Sequence, residues 1–484
     1  MMRHARTRMA AIPSALWILL AMTTVLAFAW AILLPPFQGP DEESHFNYTQ
    51  QIVEKRTIPW KPTGTLAPGA RQGVGTELGV ALGESGDTAL VGNLADRANW
   101  TAVDEDIWRD LNSTLPDIAK SNGGYLPAMR NPPLYYLYAS VPYAITSGAS
   151  IWTRELAVRL FGIPLLLGTV VFAWLIAGEV FRRRRWLQVT AAGVVALDAQ
   201  LVHLSSVVNP DAMLALLGSA VLYLSVVLLR HGLTRGRVAW MVAVAVACAA
   251  THPRGLSICG AGLLAIAIAA WRSTGPHTPR AARRMKLASW ALGILGVAVL
   301  TVLAAGSPSP GAMRQFGSYL WQFYLPKLGF MDPSIRPDYG ARQAFVERFF
   351  GTYAQLDTVL SRDVLDLIWT GVRVGLVLFL ASLVVQRRSV RANLDVVAVL
   401  GFALLFYLGV NHVLAYRALR TNPLDPVLTG RYLLPLIALM GLAVATVVRA
   451  LPRTAGAVAT SAALSLAVLL QFAALGAVVV RFYG

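Results

Sequence analysis

Only two cysteines occur in the 484 residues, Cys248 and Cys259, and both fall inside apolar runs. The chain therefore encodes no disulfide framework and no thiolate metal site. Charge is also scarce: 14% of residues are charged, and 25 acids face 42 lysines and arginines for a net charge of +17. A repeat of solenoid period, a heptad pattern, a dinucleotide-binding glycine motif and a phosphate-binding loop are all missing. What fills the sequence instead is apolar, 56% hydrophobic residues with a mean hydropathy of +0.56. That composition excludes a soluble globular protein and defines a multi-span membrane protein. Nucleic-acid binding is excluded by the placement of the positive charge, which sits in short clusters between apolar runs.

Those clusters set the expected topology. Arg182 to Arg185, Arg230 with Arg235 and Arg237, Arg272 through Lys286, Arg387 with Arg388 and Arg391, and Arg449 with Arg453 lie in short, nearly acid-free connections. Such connections face the cytoplasm. About eleven spans follow, at 10 to 34, 156 to 180, 187 to 207, 210 to 229, 238 to 252, 255 to 271, 287 to 305, 363 to 386, 394 to 414, 430 to 448 and 455 to 479. The first lacks a small-residue cleavage site and is read as a retained span with a cytoplasmic N-terminus.

Two long segments then lie outside. In the first, about 35 to 155, the Gly/Pro-rich stretch 62 to 85 reads as loop and the acid-rich 93 to 120 as mixed. Residues 131 to 150, NPPLYYLYASVPYAITSGAS, are apolar enough to span, but a span there would place the four consecutive arginines outside. The segment is expected instead to lie in the outer interface, where its tyrosine rings are buried and their hydroxyls stay wet. The second segment, about 306 to 362, carries YLWQFYLPKLGF at 319 to 330, aromatics flanking Lys327.

The richest chemistry follows the first span. In PPFQGPDEESHF, residues 35 to 46, three acids and a histidine stand at a membrane surface. Pro40 suits a first helical position, and Asp41, Glu42 and Glu43 then occupy a first turn, where exposed amides stabilise carboxylates. Asp41 and His45, four apart, share a face. Capping with solvated charge is the plain alternative, but acids beside lipid are costly unless solvated or paired.

Further polar groups gather at the same surface. Asn209 and Asp211, in NPD, stand where the third span gives way to the fourth, and a helix start alone would also explain them. His252 and Arg254 mark the junction of the fifth and sixth spans, where a permanent guanidinium charge needs an anionic partner. Arg431 and Tyr432, in LTGRYLLP at 428 to 435, double as interface anchors.

Taken together, the Pro-Asp-Glu after the first span, the Pro-Pro-Leu-Tyr-Tyr helix, the Asn-Pro-Asp turn and LTGRYLLP resemble the GT-C superfamily of polyprenyl-phosphate-dependent membrane glycosyltransferases. More narrowly they resemble its DUF2142-type branch. The resemblance is strongest over 30 to 60, 125 to 215 and 425 to 440. It implies a GT-C-like, all-α polytopic fold with a catalytic module over 1–305, a second outer loop over 306–362 and C-terminal helices over 363–484. It also implies that a sugar moves from a lipid-linked phosphate to a glycan, lipid or protein acceptor outside the membrane, with inversion. Asp41 then orients or deprotonates the acceptor, with Glu42 beside it, and Asp211 is the second acid. In some relatives the two aspartates join in binding a divalent metal, so Asp41 and Asp211 are candidate ligands for Mg²⁺ or Mn²⁺. Asn131 departs from the His or Lys that relatives carry before the paired prolines, leaving Arg130 as a substitute phosphate contact.

The chemistry suits these residues independently. Displacing a sugar phosphate needs one base and cations for the departing phosphate, not the paired carboxyls of a glycosidase. The carboxylates come from Asp41 or Asp211, and His45, Arg130, Asn131, Tyr135, Asn209, His252, Arg254, Lys327, Arg431 and Tyr432 are candidate substrate contacts. A flippase or transporter, or a non-catalytic scaffold holding a polyprenyl glycolipid, is the alternative. Against a transporter, the charges gather at one surface rather than at the bilayer midplane.

Overall fold

The computed structural model describes residues 13–61, 73–89, 126–273, 309–423 and 428–484, with a few isolated positions between 102 and 124. Lipid offers backbone groups no hydrogen-bond partners, so long apolar runs must close their bonds internally as helices. Eight described helical segments are long and apolar enough to cross a bilayer, nine when one bent pair is counted. The chain is thus an all-α polytopic membrane protein.

The first span, α1, is Ser14–Leu33; α2, Glu42–Lys55, α3, Thr76–Ala89, and α4, Leu134–Ile145, follow outside the spans. The next span is made of α5, Ile151–Leu160, and α6, Ile163–Val180. Helix α4 has 12 residues, which rise about 18 Å against a hydrocarbon core of about 30 Å. By length it fits the interface, as expected for 131 to 150. Helix α3 corrects the sequence reading, which made 62 to 85 a loop. Its Leu78 and Ala81 are fully buried against the α2 and α4 aromatics, and Glu77 pairs with Arg154 of α5. Tertiary burial overrides the glycines here. Residues 62–72 and most of 93–120 lie outside the described residues.

The span expected at 187 to 207 is broken. Helices α7, Arg185–Ala196, and α8, Ala199–Ser205, meet at 57°. Asp198 stands at the break and accepts a hydrogen bond from the Leu201 amide at 2.8 Å, starting α8 afresh. Next come α9, Asp211–His231, α10, Arg235–Thr251, and α11, Gly255–Ser273. At 17 residues, α10 rises about 26 Å, short of the core thickness. The span expected at 287 to 305, and with it the module boundary at 305, lies outside the described residues.

Helix α12, Pro310–Tyr324, opens the second segment, which ends in a two-residue antiparallel ladder pairing Thr352 with Val359. Four spans complete the chain, the first three being α13, Arg362–Val385; α15, Leu394–Thr421, reached through the short α14, Arg387–Ala392; and a span whose 3₁₀ entry Gly430–Leu436 runs into α16, Ile437–Ala450. The last is α17, Arg453–Tyr483.

Helix α9 is the axis of the bundle, packed on α6, α10, α11 and the 430–436 turn, and 78% of its apolar window is buried. At the other extreme α13 is 6% buried and presents apolar side chains outward. Water-free association between spans relies on close packing and interhelical hydrogen bonds. Trp30 Nε1 of α1 donates to Gln471 Oε1 of α17 at 3.0 Å, and the Thr190 and Thr460 hydroxyls meet at 3.0 Å between α7 and α17.

Candidate functional site

One end of the bundle is capped by α2 to α5, and the loop joining α1 to α2 is drawn down into it. Glu42 does this. Its carboxylate accepts from the Gly39 amide at 2.8 Å, the Val208 amide at 2.8 Å, and Arg159 Nε and Nη2 at 2.9 and 2.7 Å. Arg159 in turn donates to the carbonyls of Ala31, Leu34 and Pro35, and pairs with Glu155 at 2.5 Å. Burial raises the proton affinity of Glu42, but the Arg159 pair and the two amides outweigh it and hold the carboxyl below its usual range. Glu42 is fully buried and fully engaged. Its contacts tie together the loop, α5 and the turn before α9, which is a positioning arrangement.

That anchoring sets Asp41. The helix begins at Glu42, two residues later than the proline suggests, and Asp41 is its N-cap in a left-handed conformation with φ of 57°. Its side chain makes no cap. It turns instead to Arg431, whose Nη2 donates to Asp41 Oδ2 at 2.9 Å. The Asp41 side chain is 63% exposed and the Arg431 side chain 9%. Surrounding protein favours the neutral acid, yet Arg431, His45 and Arg254 prevail and keep Asp41 below the ordinary carboxylate range. Two further nitrogens of Arg431, Nε and Nη1, are buried without a partner among the described residues. An unsatisfied guanidinium is costly in such surroundings and calls for an anion.

Asp211, Arg254 and Tyr432 complete the cluster. Asp211 opens α9 and lies within electrostatic reach of Arg431, Arg254 and Asp41. Asn209 accepts from the Asp211 amide at 2.9 Å and donates to the Pro40 carbonyl at 3.1 Å, so it fastens the two acidic turns to each other. The Arg254 guanidinium lies 3.2 Å from the Tyr432 ring centre, and that of Arg431 lies 5.4 Å away. His252 Nδ1 accepts from the Arg254 amide at 3.1 Å.

A hydroxyl relay borders the cluster. Asn131 Nδ2 donates to Tyr136 Oη at 3.0 Å, and Tyr136 Oη lies 2.9 Å from His45 Nδ1. Satisfying all three groups makes Nδ1 the acceptor and leaves the proton on Nε2. Burial lowers His45 to about 4, against the opposing pull of Asp41, so the ring is neutral at pH 7. Tyr135 is buried and meets the backbone of Asn209. Arg130 is exposed at the end of a 3₁₀ turn whose Ala128 and Met129 are buried, and Lys327 is exposed in the loop after α12, among Leu325, Leu328 and Phe330.

Three parts of this arrangement escape a reading of motifs. Arg159 and Glu155 lie in TRELAVRL, at the mouth of a span, where charges must be paired; that is the signal that finds them. Arg154 of the same stretch binds Glu77, Glu54 and the Tyr143 hydroxyl and so clamps α2 and α3 onto α5. Tyr136 carries the relay. Among the described residues no three His, Cys, Asp or Glu side chains form a metal-ligand set. Asp41 has a guanidinium where a cation would sit, so the residues do not fit the Mg²⁺ or Mn²⁺ site expected from Asp41 and Asp211.

The fold and the site define a polytopic membrane protein with a charged cluster at one end of its bundle. Residues 24–440 match the family described as predicted membrane protein, DUF2142, and the chain belongs to that family. The match begins within α1, ends within α16 and takes in every residue of the cluster. No curated protein and no solved structure matches the chain.

Proposed function

We propose that this protein is a membrane glycosyltransferase of GT-C type, transferring a sugar from a polyprenyl-phosphate-linked donor to a glycan, lipid or protein acceptor on the extracytoplasmic side. The observation that carries the reading is Arg431, one nitrogen of which holds the exposed Asp41 while two others are buried without partners among the described residues. With Arg254 nearby, this end offers guanidinium groups for a phosphate beside a carboxylate that a hydroxyl can reach. The sidedness rests on the arginine-rich connections at the other end.

In the proposed reaction the acceptor oxygen forms a bond to the anomeric carbon as the bond from that carbon to the phosphate oxygen breaks. The electron pair leaves with the lipid phosphate, whose charge the arginines offset. Asp41, kept ionised, accepts a hydrogen bond from the acceptor hydroxyl and aims its lone pair, the hydroxyl proton passing to Asp41 or through it to water. A carboxylate held this strongly is a better orienting group than a strong base.

The test uses purified wild-type and Asp41→Asn protein with a panel of polyprenyl-phosphate sugars, following lipid-phosphate release and donor binding in parallel. Asparagine tolerates the left-handed backbone, so the loop is retained. The expected outcome is a loss of about 10²- to 10⁴-fold in turnover with donor binding kept. Donor binding without release in either protein, with acceptors and metal supplied, would favour the flippase or scaffold.

A further inference from the structure

At the end of the bundle away from Asp41, the turn after α6, the junction of α13 with α14 and the last turn of α16 border an open cavity of about 660 Å³. Four arginines line it, Arg184, Arg387, Arg388 and Arg449, and no acid does. Among the described residues no carboxylate pairs with any of them. Arg449 is held in place by a 3.0 Å hydrogen bond to Ser389 Oγ and lies over the Phe181 ring at 5.9 Å. The chain reaches Arg184 through two consecutive left-handed arginines, Arg182 and Arg183.

A second cavity at the same end, about 540 Å³, makes the contrast. There two acids stand among Arg182, Arg183, Arg230 and Arg272, Glu179 paired with His231 and Asp395 with Arg272, so part of the positive charge is met from within. The four-arginine cavity has no such compensation, and like charges held together call for an anion from outside. Its remaining wall identifies the kind of anion. Val384 and Val385, 67% and 71% exposed, end α13, the helix whose apolar face is open along its length through Leu376, Val377 and Leu380. A ligand with a phosphate head and long apolar tails matches both walls at once, the tails lying along α13.

The geometry points to an anionic-phospholipid site here, with the headgroup phosphate bound by Arg184, Arg387, Arg388 and Arg449. It rests on the membrane fold alone and stands whether or not Asp41 serves a glycosyltransferase.

The test is lipid retention by the full chain in detergent, read by native mass spectrometry during titration with phosphatidylglycerol or phosphatidylcholine. Wild type is expected to retain phosphatidylglycerol selectively. R387Q/R388Q should weaken that retention by about thirtyfold, each basic residue at a membrane surface being worth about a factor of five. The charge-matched R235Q/R391Q, outside the cavity, should leave it unchanged, and inorganic phosphate at matched ionic strength should not displace the lipid. Equal retention of both lipids, or equal loss in both double variants, overturns the site. Displacement by inorganic phosphate as effective as by phosphatidylglycerol itself overturns the lipid assignment in favour of free phosphate.

Discussion

Arg431 donates to Asp41 across 390 residues of sequence, at 2.9 Å, joining the loop after the first span to the entry of the second-to-last. The pair sets a buried, incompletely satisfied guanidinium against an exposed carboxylate. Arg431→Lys keeps the charge and removes the planar fork. Because a hydrogen bond to a charged group contributes about 1.5–3 kcal/mol, donor affinity should fall by about ten- to a hundredfold. Donor binding to wild type and variant decides it; unchanged affinity removes Arg431 from the phosphate site.

Glu42 and Arg159 are both fully buried, so removing Arg159 leaves the Glu42 carboxylate without its buried countercharge. Arg159→Met should destabilise the protein by about 3–5 kcal/mol, whereas pairing it with Glu42→Gln should recover a large part of the loss. Thermal unfolding of the two single variants and the double variant in one detergent gives the coupling. Additive losses would show that the two residues do not act as a pair.

Burial pushes the Glu43 carboxyl up to about 7, its own backbone amide opposing and the Asp41 and Glu42 charges adding to the rise. The folded protein thus holds a proton that the unfolded chain gives up above its ordinary value of 4.5. Stability from this group is fully present below 4.5 and is lost as the pH rises through about 7. Glu43→Gln should therefore melt higher than wild type by a margin that grows between those values and levels off above them. His45, lowered to about 4, acts with the opposite sign as the pH falls below 6.5, and it cancels because both proteins carry it. A margin independent of pH would refute the assignment.

Gly39 is where the acidic loop meets the turn before α9. A Cβ there would stand 2.7 Å from Val207 Cβ and 2.8 Å from Glu42 Oε2. Gly39→Ala should cost about 1–3 kcal/mol by overpacking, and adding Val207→Ala should relieve part of it. The melting temperatures of both variants test this, and a single variant as stable as wild type would contradict the close approach.

Much of the architecture was legible because the bilayer leaves little choice. An apolar run of span length must become a helix wherever it sits, which is why α1, α9, α13, α15, α16 and α17 fall near the limits read from hydropathy. The break between α7 and α8 was not legible, since Asp198 looks like one polar residue within a span until its cap on Leu201 is seen. Helix α3 hid behind its glycines for the same reason in reverse: what makes it helical is Arg154, 77 residues further on, and an apolar pocket supplied by α2 and α4.

The candidate site divides along the same line. Sequence by itself determined which charged residues stand near the membrane surface, because a charge beside lipid is conspicuous and its type fixes its chemistry. Tertiary structure decided their roles. Adjacent in the chain, Asp41 and Glu42 differ completely in setting: one is left-handed and open beside Arg431, the other fully buried on Arg159 and two amides. Nothing local separates two neighbouring carboxylates. The partners that do come from helices more than a hundred residues away, brought into contact only when the spans pack.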